Sequence, residues 1–200
     1  MKNILLVTDG FVHPPYRGRR ALHQALAELE GFSFHHVRSL EQLPTEVDQY
    51  AALVLYFHQQ AITASALARL DSFVKKGGGI LAIHSATASF KNEPHYFEII
   101  GGQFTGHGAV EDFVVRPVKS DIFTGMGEFT VKDELYMHDL QPGIEVHFAA
   151  QHEGQDVPVV WTHCYGKGKV CYAVPGHTTE SMKHPVMEEI LQRGLMWVCA

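Results

Sequence analysis

Apolar positions along this chain change rhythm near its middle. Apolar runs at residues 3–8, 51–57 and 79–83 have the length and bounded character of buried strands, and residues 32–37 read as a further strand. Between them, Leu22, Ala25, Leu26 and Leu29 recur at helical spacing over residues 19–30, and Gly31 stands where a helix would end. Ile62, Ala66, Leu67, Leu70, Phe73 and Val74 mark one face of a second helix, stopped by Gly77-Gly78-Gly79. That triple glycine precedes a strand instead of following one, so it reads as a helix stop and not as a phosphate cradle. Strand and helix alternate, which predicts a parallel sheet with helices on both faces.

The second half is less regular. It predicts a helix over 93–100, a glycine-rich loop over 101–108, and short strands near 112–115, 145–151, 157–163 and 169–174. The last two strands form a hairpin through residues 166–169. A final helix follows, with Pro185 in its first turn and Met187, Ile190, Leu191 and Leu195 on its buried face. There is no repeat, linker or low-complexity segment, and 200 residues at 46% hydrophobic content suit one domain spanning 1–200.

Charge narrows the function classes. A net charge of −6 with scattered basic residues leaves no footprint for nucleic acid. The apolar stretch at the amino terminus is too short for a signal peptide or a membrane span, so the expectation is a cytoplasmic protein without membrane association. Three cysteines are too few for a disulfide framework. Cys164 and Cys171 are expected to face each other as reduced thiols across a Lys167-Gly168 turn. Histidine is the outlier, with 14 against 16 lysines and arginines.

Ligands of open parallel sheets bind beyond the carboxyl ends of the strands. His13 follows the first strand, His58 ends the third, and His84 ends the fourth. The late strand ends at Pro175-Gly176-His177, with Glu180 three residues on. His84 follows an abrupt stop in an apolar run and precedes Ser85-Ala86-Thr87-Ala88, the setting of a nucleophile elbow, which holds one side chain exposed above the sheet. His107 lies in the glycine-rich segment, where absent side chains let a ligand approach the backbone. Glu134 and Tyr136 share a face if their segment is extended. His138 continues that alternation, but a solvated position explains it equally. His35, His36, His95, His147, His152, His163 and His184 carry no such positional argument and read as structural.

These segments together resemble the ThuA-like (trehalose utilisation) family. The matching stretches are Gly77 through Thr87, Gly101-Gly102-Gln103-Phe104-Thr105-Gly106-His107, Asp133-Glu134-Leu135-Tyr136, and Pro158-Val159-Val160-Trp161 through Gly176-His177-Thr178-Thr179-Glu180, with Phe11-Val12-His13 similar to the family's early histidine loop. The resemblance implies a flavodoxin-like, class I glutamine amidotransferase-like fold. That fold is a three-layer α/β/α sandwich with a mostly parallel sheet and antiparallel strands in its carboxyl-terminal half. It also implies that His84 occupies the position of the amidotransferase cysteine, which removes the thiolate needed for a glutaminyl thioester.

Two functions follow. In the first, the protein processes trehalose or a related disaccharide or keto-sugar, with His84, His177 and Glu134 as acid–base groups. His13, His58, His107, Tyr136 and Glu180 bind the sugar. A variant adds a divalent metal such as zinc, held by His84, His107, His177 and Glu134. In the second, the pocket is a non-catalytic sugar-binding or regulatory module. A homo-oligomer is compatible with either.

Overall fold

The computed structural model describes residues 1–10, 15–119 and 121–200, so the His13 expectation lies outside the described residues. The described strands are β1 (Lys2–Gly10), β2 (Phe32–Val37), β3 (Ala52–His58), β4 (Gly79–Ile83), β5 (Gly102–Pro117), β6 (Phe129–Leu140), β7 (Glu145–His152), β8 (Gln155–Tyr165) and β9 (Gly168–Ala173). They form one mixed sheet in the order β2-β1-β3-β4-β9-β8-β7-β5-β6. β2, β1, β3, β4 and β9 pair in parallel. From β9 outward through β8, β7, β5 and β6 every pairing is antiparallel.

Burial explains why the two halves read differently. Every residue of β4, and all of β3 but His58, is buried. Strands covered on both faces appear as continuous apolar runs. β6 instead alternates over its first half, burying Phe129, Val131, Asp133 and Leu135 while exposing Thr130 and Lys132. The helices are α1 (Pro15–Ala27), α2 (Ala64–Lys75), α3 (Pro94–Ile100), α4 (Thr179–Met182) and α5 (Pro185–Val198). α1 packs on α4 and α5, α5 lies against β4 and β9, and α2 meets α3. Thr63 caps α2 by accepting the Ala66 N–H at 3.3 Å. α5 starts at Pro185 and buries Met187, Ile190, Leu191 and Leu195, as the periodicity predicts. No helix among the described residues is long and apolar enough to cross a membrane.

Two expectations are corrected here. The glycine-rich stretch predicted as a loop is the first half of β5, paired with β6 through register shifts at Phe104/Gly106 and His107/Val110. Glycines that read as a loop are carrying the bulges that bend a strand. The β8–β9 turn also lies one residue earlier than expected, which shifts the pairing by two. Tyr165 pairs with Gly168 and Cys164 with Lys169, so Cys171 lies opposite Thr162. The turn is Gly166-Lys167, where Gly166 adopts φ 59°, a conformation glycine supplies without a steric penalty.

Candidate functional site

β4 ends at Ile83 and the chain turns at once. His84 has φ 47° and opens a buried 3-10 turn, His84–Ala88. Left-handed backbone at a non-glycine residue stores strain, and it persists only where surrounding contacts enforce it. Those contacts are visible. The His84 Nδ1–H donates to the Val174 carbonyl at 2.8 Å, and the Tyr172 and Thr87 hydroxyls donate to the His84 carbonyl at 2.9 and 3.1 Å. The elbow geometry is therefore present, but its side chain is not exposed: His84 has 0% accessibility. The Tyr136 ring covers it at 4.1 Å, and Gly176 lies so close that an added Cβ would come within 2.7 Å of the His84 Cβ.

The loop after β9 brings the second imidazole. Asp133, fully buried, accepts the backbone N–H of Gly176 at 3.1 Å and of His177 at 3.1 and 3.2 Å. It also accepts the N–H of Glu134 at 2.8 Å. The Tyr56 hydroxyl donates to the Gly176 carbonyl at 2.9 Å. This held loop places His177 Nδ1 3.0 Å from Glu134 Oε2. The same carboxylate oxygen lies 3.5 Å from His84 Nε2, and Glu134 Oε1 lies 3.6 Å from His107 Nδ1.

Electrostatics follow this packing. Burial alone would raise the Glu134 carboxyl, but the hydrogen bond from His84 and the charges of His177, His107 and His84 outweigh it, and its pKa falls below the usual value. Burial first, then the Glu134 and Asp133 carboxylates, push the Tyr136 phenol far above its usual range, so it stays protonated. His138 is held near pKa 3, chiefly by burial and then by His84. It is not a solvated ring: its Nε2 lies 3.0 Å from the Thr87 hydroxyl, and its ring packs against Trp161 and Tyr172.

The structure thus brings together His84, His177, Glu134, His107 and Tyr136, whose ring stacks on His107 at 5.6 Å. His58 sits at the same sheet edge. Its ring is lowered in pKa by burial, by Lys91 and by His84, and it bonds to the Ala88 backbone. Glu180 is exposed on α4, where it accepts from its neighbour Thr179 at 3.2 Å. Asp133 and Tyr56 escaped the sequence reading. Asp133 left a signal, since it occupies the apolar phase of β6 in line with Phe129, Val131 and Leu135. A carboxylate there must have internal partners.

Two sets of side chains offer three ligand atoms within 4.8 Å of one another: His84, Glu134 and His177, and separately Asp121, Glu145 and His147. The second already holds a cation. The Lys119 ammonium contacts Glu145 and lies 3.5 Å from Asp121. In the first set, no lysine or arginine bridges the carboxylate among the described ion pairs.

The family described as ThuA, trehalose utilisation, matches residues 3–198. Among solved structures, a protein described as ThuA-like from Parabacteroides merdae ATCC 43184 superposes with a TM-score of 0.89 at 18% identity, over 100% of this chain and 90% of that one. Another described as ThuA-like, from Bacteroides uniformis ATCC 8492, gives 0.79 at 16% identity over 99% and 91%. A cytoplasmic protein from Salmonella typhimurium LT2 gives 0.72 at 13% identity over 99% of both chains. At such identities the likeness is one of fold. No curated protein matches the chain.

Proposed function

The chain belongs to the ThuA family, and from that premise we propose that it carries out acid–base chemistry on trehalose or a related disaccharide or keto-sugar. The centre of this chemistry is the His84–Glu134–His177 cluster. One observation carries the reading: a single carboxylate, Glu134, lies within 3.6 Å of imidazoles from three separate segments. Such groups give and take protons near neutral pH, as elimination, isomerisation or hydrolysis of an oxidised sugar requires.

Exposure suggests how the roles divide. The side chains of His107 and His177 are 40% and 27% accessible, Glu134 13%, and His84 0%. A sugar would meet His107 and His177 first and Glu134 next, with Tyr136 donating from the side and His84 steadying the carboxylate from behind. His13, His58 and Glu180 complete the proposed sugar-binding shell. A thioester route is disfavoured. His84 stands at the elbow, and the Cys171 thiol is buried in β9 with its pKa pushed up to about 12. The flavodoxin-like three-layer arrangement, a cytoplasmic location and a homo-oligomeric assembly belong to the same proposal. The grouping of α1, α4 and α5 apart from α2 and α3 supports the layering.

A panel of disaccharides and their 3-keto derivatives, followed by product analysis, tests this. Glu134→Gln and His177→Ala should each lower kcat/KM by about 100-fold or more with the fold retained. His84→Ala is a poorer test, because it also opens a cavity in the interior. The burial of His84 favours one alternative, a binding module without turnover. A sugar that raises Tm yet is recovered unchanged would establish that alternative and defeat the catalytic reading.

A further inference from the structure

We propose that His84 Nε2, Glu134 and His177 bind a divalent transition-metal ion of the zinc or manganese class, with its open coordination positions turned toward His107. What the ion does to a sugar rests on the reading above; whether it binds does not.

The argument begins with the tautomer of His84. A carbonyl accepts only from an N–H, so the 2.8 Å contact with Val174 puts the proton on Nδ1. Nε2 is then the atom that faces Glu134 Oε2 at 3.5 Å, and the hydrogen bond between them places a proton there. A divalent ion would displace that proton and take the lone pair it leaves. Anchoring one imidazole N–H on a backbone carbonyl, so that the other nitrogen points at the ion, is the usual outer-shell arrangement of a metal-bound histidine.

The distances suit an ion. Ligand atoms bonded at about 2.0–2.2 Å to a tetrahedral or octahedral metal lie roughly 3.0–3.5 Å apart. Glu134 Oε2 is 3.0 Å from His177 Nδ1 and 3.5 Å from His84 Nε2. All three ligand atoms fall within 4.8 Å, and rotation of the His177 ring, the most exposed of them, would close the remaining gap. Its backbone is already fixed by Asp133. Two imidazoles and one carboxylate without sulfur describe a site for zinc, manganese, iron(II) or cobalt. The charge agrees, since Asp133 and Glu134 are adjacent carboxylates with no lysine or arginine on either among the described ion pairs.

The open side is the one where His107 and His177 are exposed, at 40% and 27% of their side chains. An adjacent hydroxyl and carbonyl of an oxidised sugar would chelate an ion there. The ion would turn His84 and His177 into ligands and give the proton-moving work to bound water.

The test uses the full chain, purified without a histidine tag, stripped with chelator and titrated with Co2+ and then Zn2+. One equivalent of Co2+ should bind, with visible bands typical of nitrogen and oxygen ligation, and Zn2+ should displace it and raise Tm. Glu134→Gln and His177→Ala should each weaken binding by about 100-fold or more, whereas His147→Gln at the second cluster should leave it unchanged. Substoichiometric binding of every ion tried, or unchanged affinity in both site variants, overturns the proposal. Substoichiometric binding alongside full sugar turnover overturns it and leaves the sugar reading standing. One tightly held equivalent that both site variants lose, with no sugar turned over or bound, upholds it and defeats the sugar reading instead.

Discussion

The parallel and antiparallel halves of this sheet are built by different rules, and the candidate site exists only where they meet. The parallel half, β1 to β4 with β9, is covered on both faces at β3 and β4 and supplies His84 and His177 from the carboxyl ends of two neighbouring strands. The antiparallel half supplies Glu134, Asp133 and Tyr136 from β6, four places from β9 in the strand order. Only Val115–Pro117 of β5 pair with β7, whereas the first part of β5 pairs with β6 alone. That stretch is a two-stranded ribbon, bent at two bulges, and it returns over the edge where His84 sits. Rank in a sheet is therefore a poor measure of distance once bulges bend a strand. One half holds the His84 and His177 imidazoles, and the other delivers His107 and the carboxylates that organise them.

The strongest way to break this junction is to remove Asp133. Asp133→Ala leaves the Gly176, His177 and Glu134 N–H groups without their buried acceptor. Each such loss costs about 1–3 kcal/mol, so a total of at least about 3 kcal/mol is expected in urea unfolding. Asp133→Asn keeps one acceptor and should recover part of it. A loss below about 1 kcal/mol for the alanine variant would mean the two halves are held together elsewhere.

Gly176→Ala attacks the same seam sterically. Its Cβ would come within 2.7 Å of the His84 Cβ and 3.0 Å of Ile83 Cγ2, and neither neighbour sits at the end of a flexible side chain. Overpacking of this kind costs about 1–3 kcal/mol. The variant should also lose affinity for any ligand of the cluster, because His84 and His177 must separate. Equal stability to the parent would show that the loop after β9 shifts freely, contrary to its four hydrogen bonds with Asp133 and Tyr56.

The two halves also differed in how far they could be read from sequence. β3 and β4 announce themselves because burial on both faces leaves no polar interruption, and the strand-end rule then finds His58 and His84 without coordinates. The glycines of 101–108 mislead, since glycine marks a bulge and a loop with the same letter. His84 reads as exposed because its cover, Tyr136, lies on a ribbon whose return over the sheet is a long-range event. Asp133 was legible only as a charge on the wrong phase of an alternating strand. Its meaning depends on a loop far along the chain.

A pH series probes the junction more gently. His138 on β6 is neutral in the fold because burial, and then His84, hold its pKa near 3, whereas the unfolded chain has about 6.5. A base depressed in the folded state binds fewer protons there than when unfolded. Its contribution is therefore intact above pH 6.5 and is lost as pH falls from about 6.5 toward 3. The limit is about 1.4 kcal/mol per pH unit. His138→Gln should flatten this slope between pH 6.5 and 5 while changing little at pH 7.5. An identical slope in both proteins would assign the acid sensitivity to other groups.

The smallest effect is expected on the ribbon itself, and it separates fold from function. Gly106 sits at a bulge of β5, yet its φ is not in the left-handed region and an added Cβ would meet nothing within 4 Å. Gly106→Ala should leave stability within about 0.5 kcal/mol of the parent, in contrast to Gly176→Ala. Gly106 pairs with Met137, so the new methyl group lies on the face of the ribbon opposite His107 and Tyr136. KM for a ligand of the cluster should therefore stay unchanged together with Tm. A fall in Tm as large as that of Gly176→Ala would place the ribbon inside the structural seam. A several-fold rise in KM with unchanged Tm would move the approach of the ligand to the outer face of the ribbon.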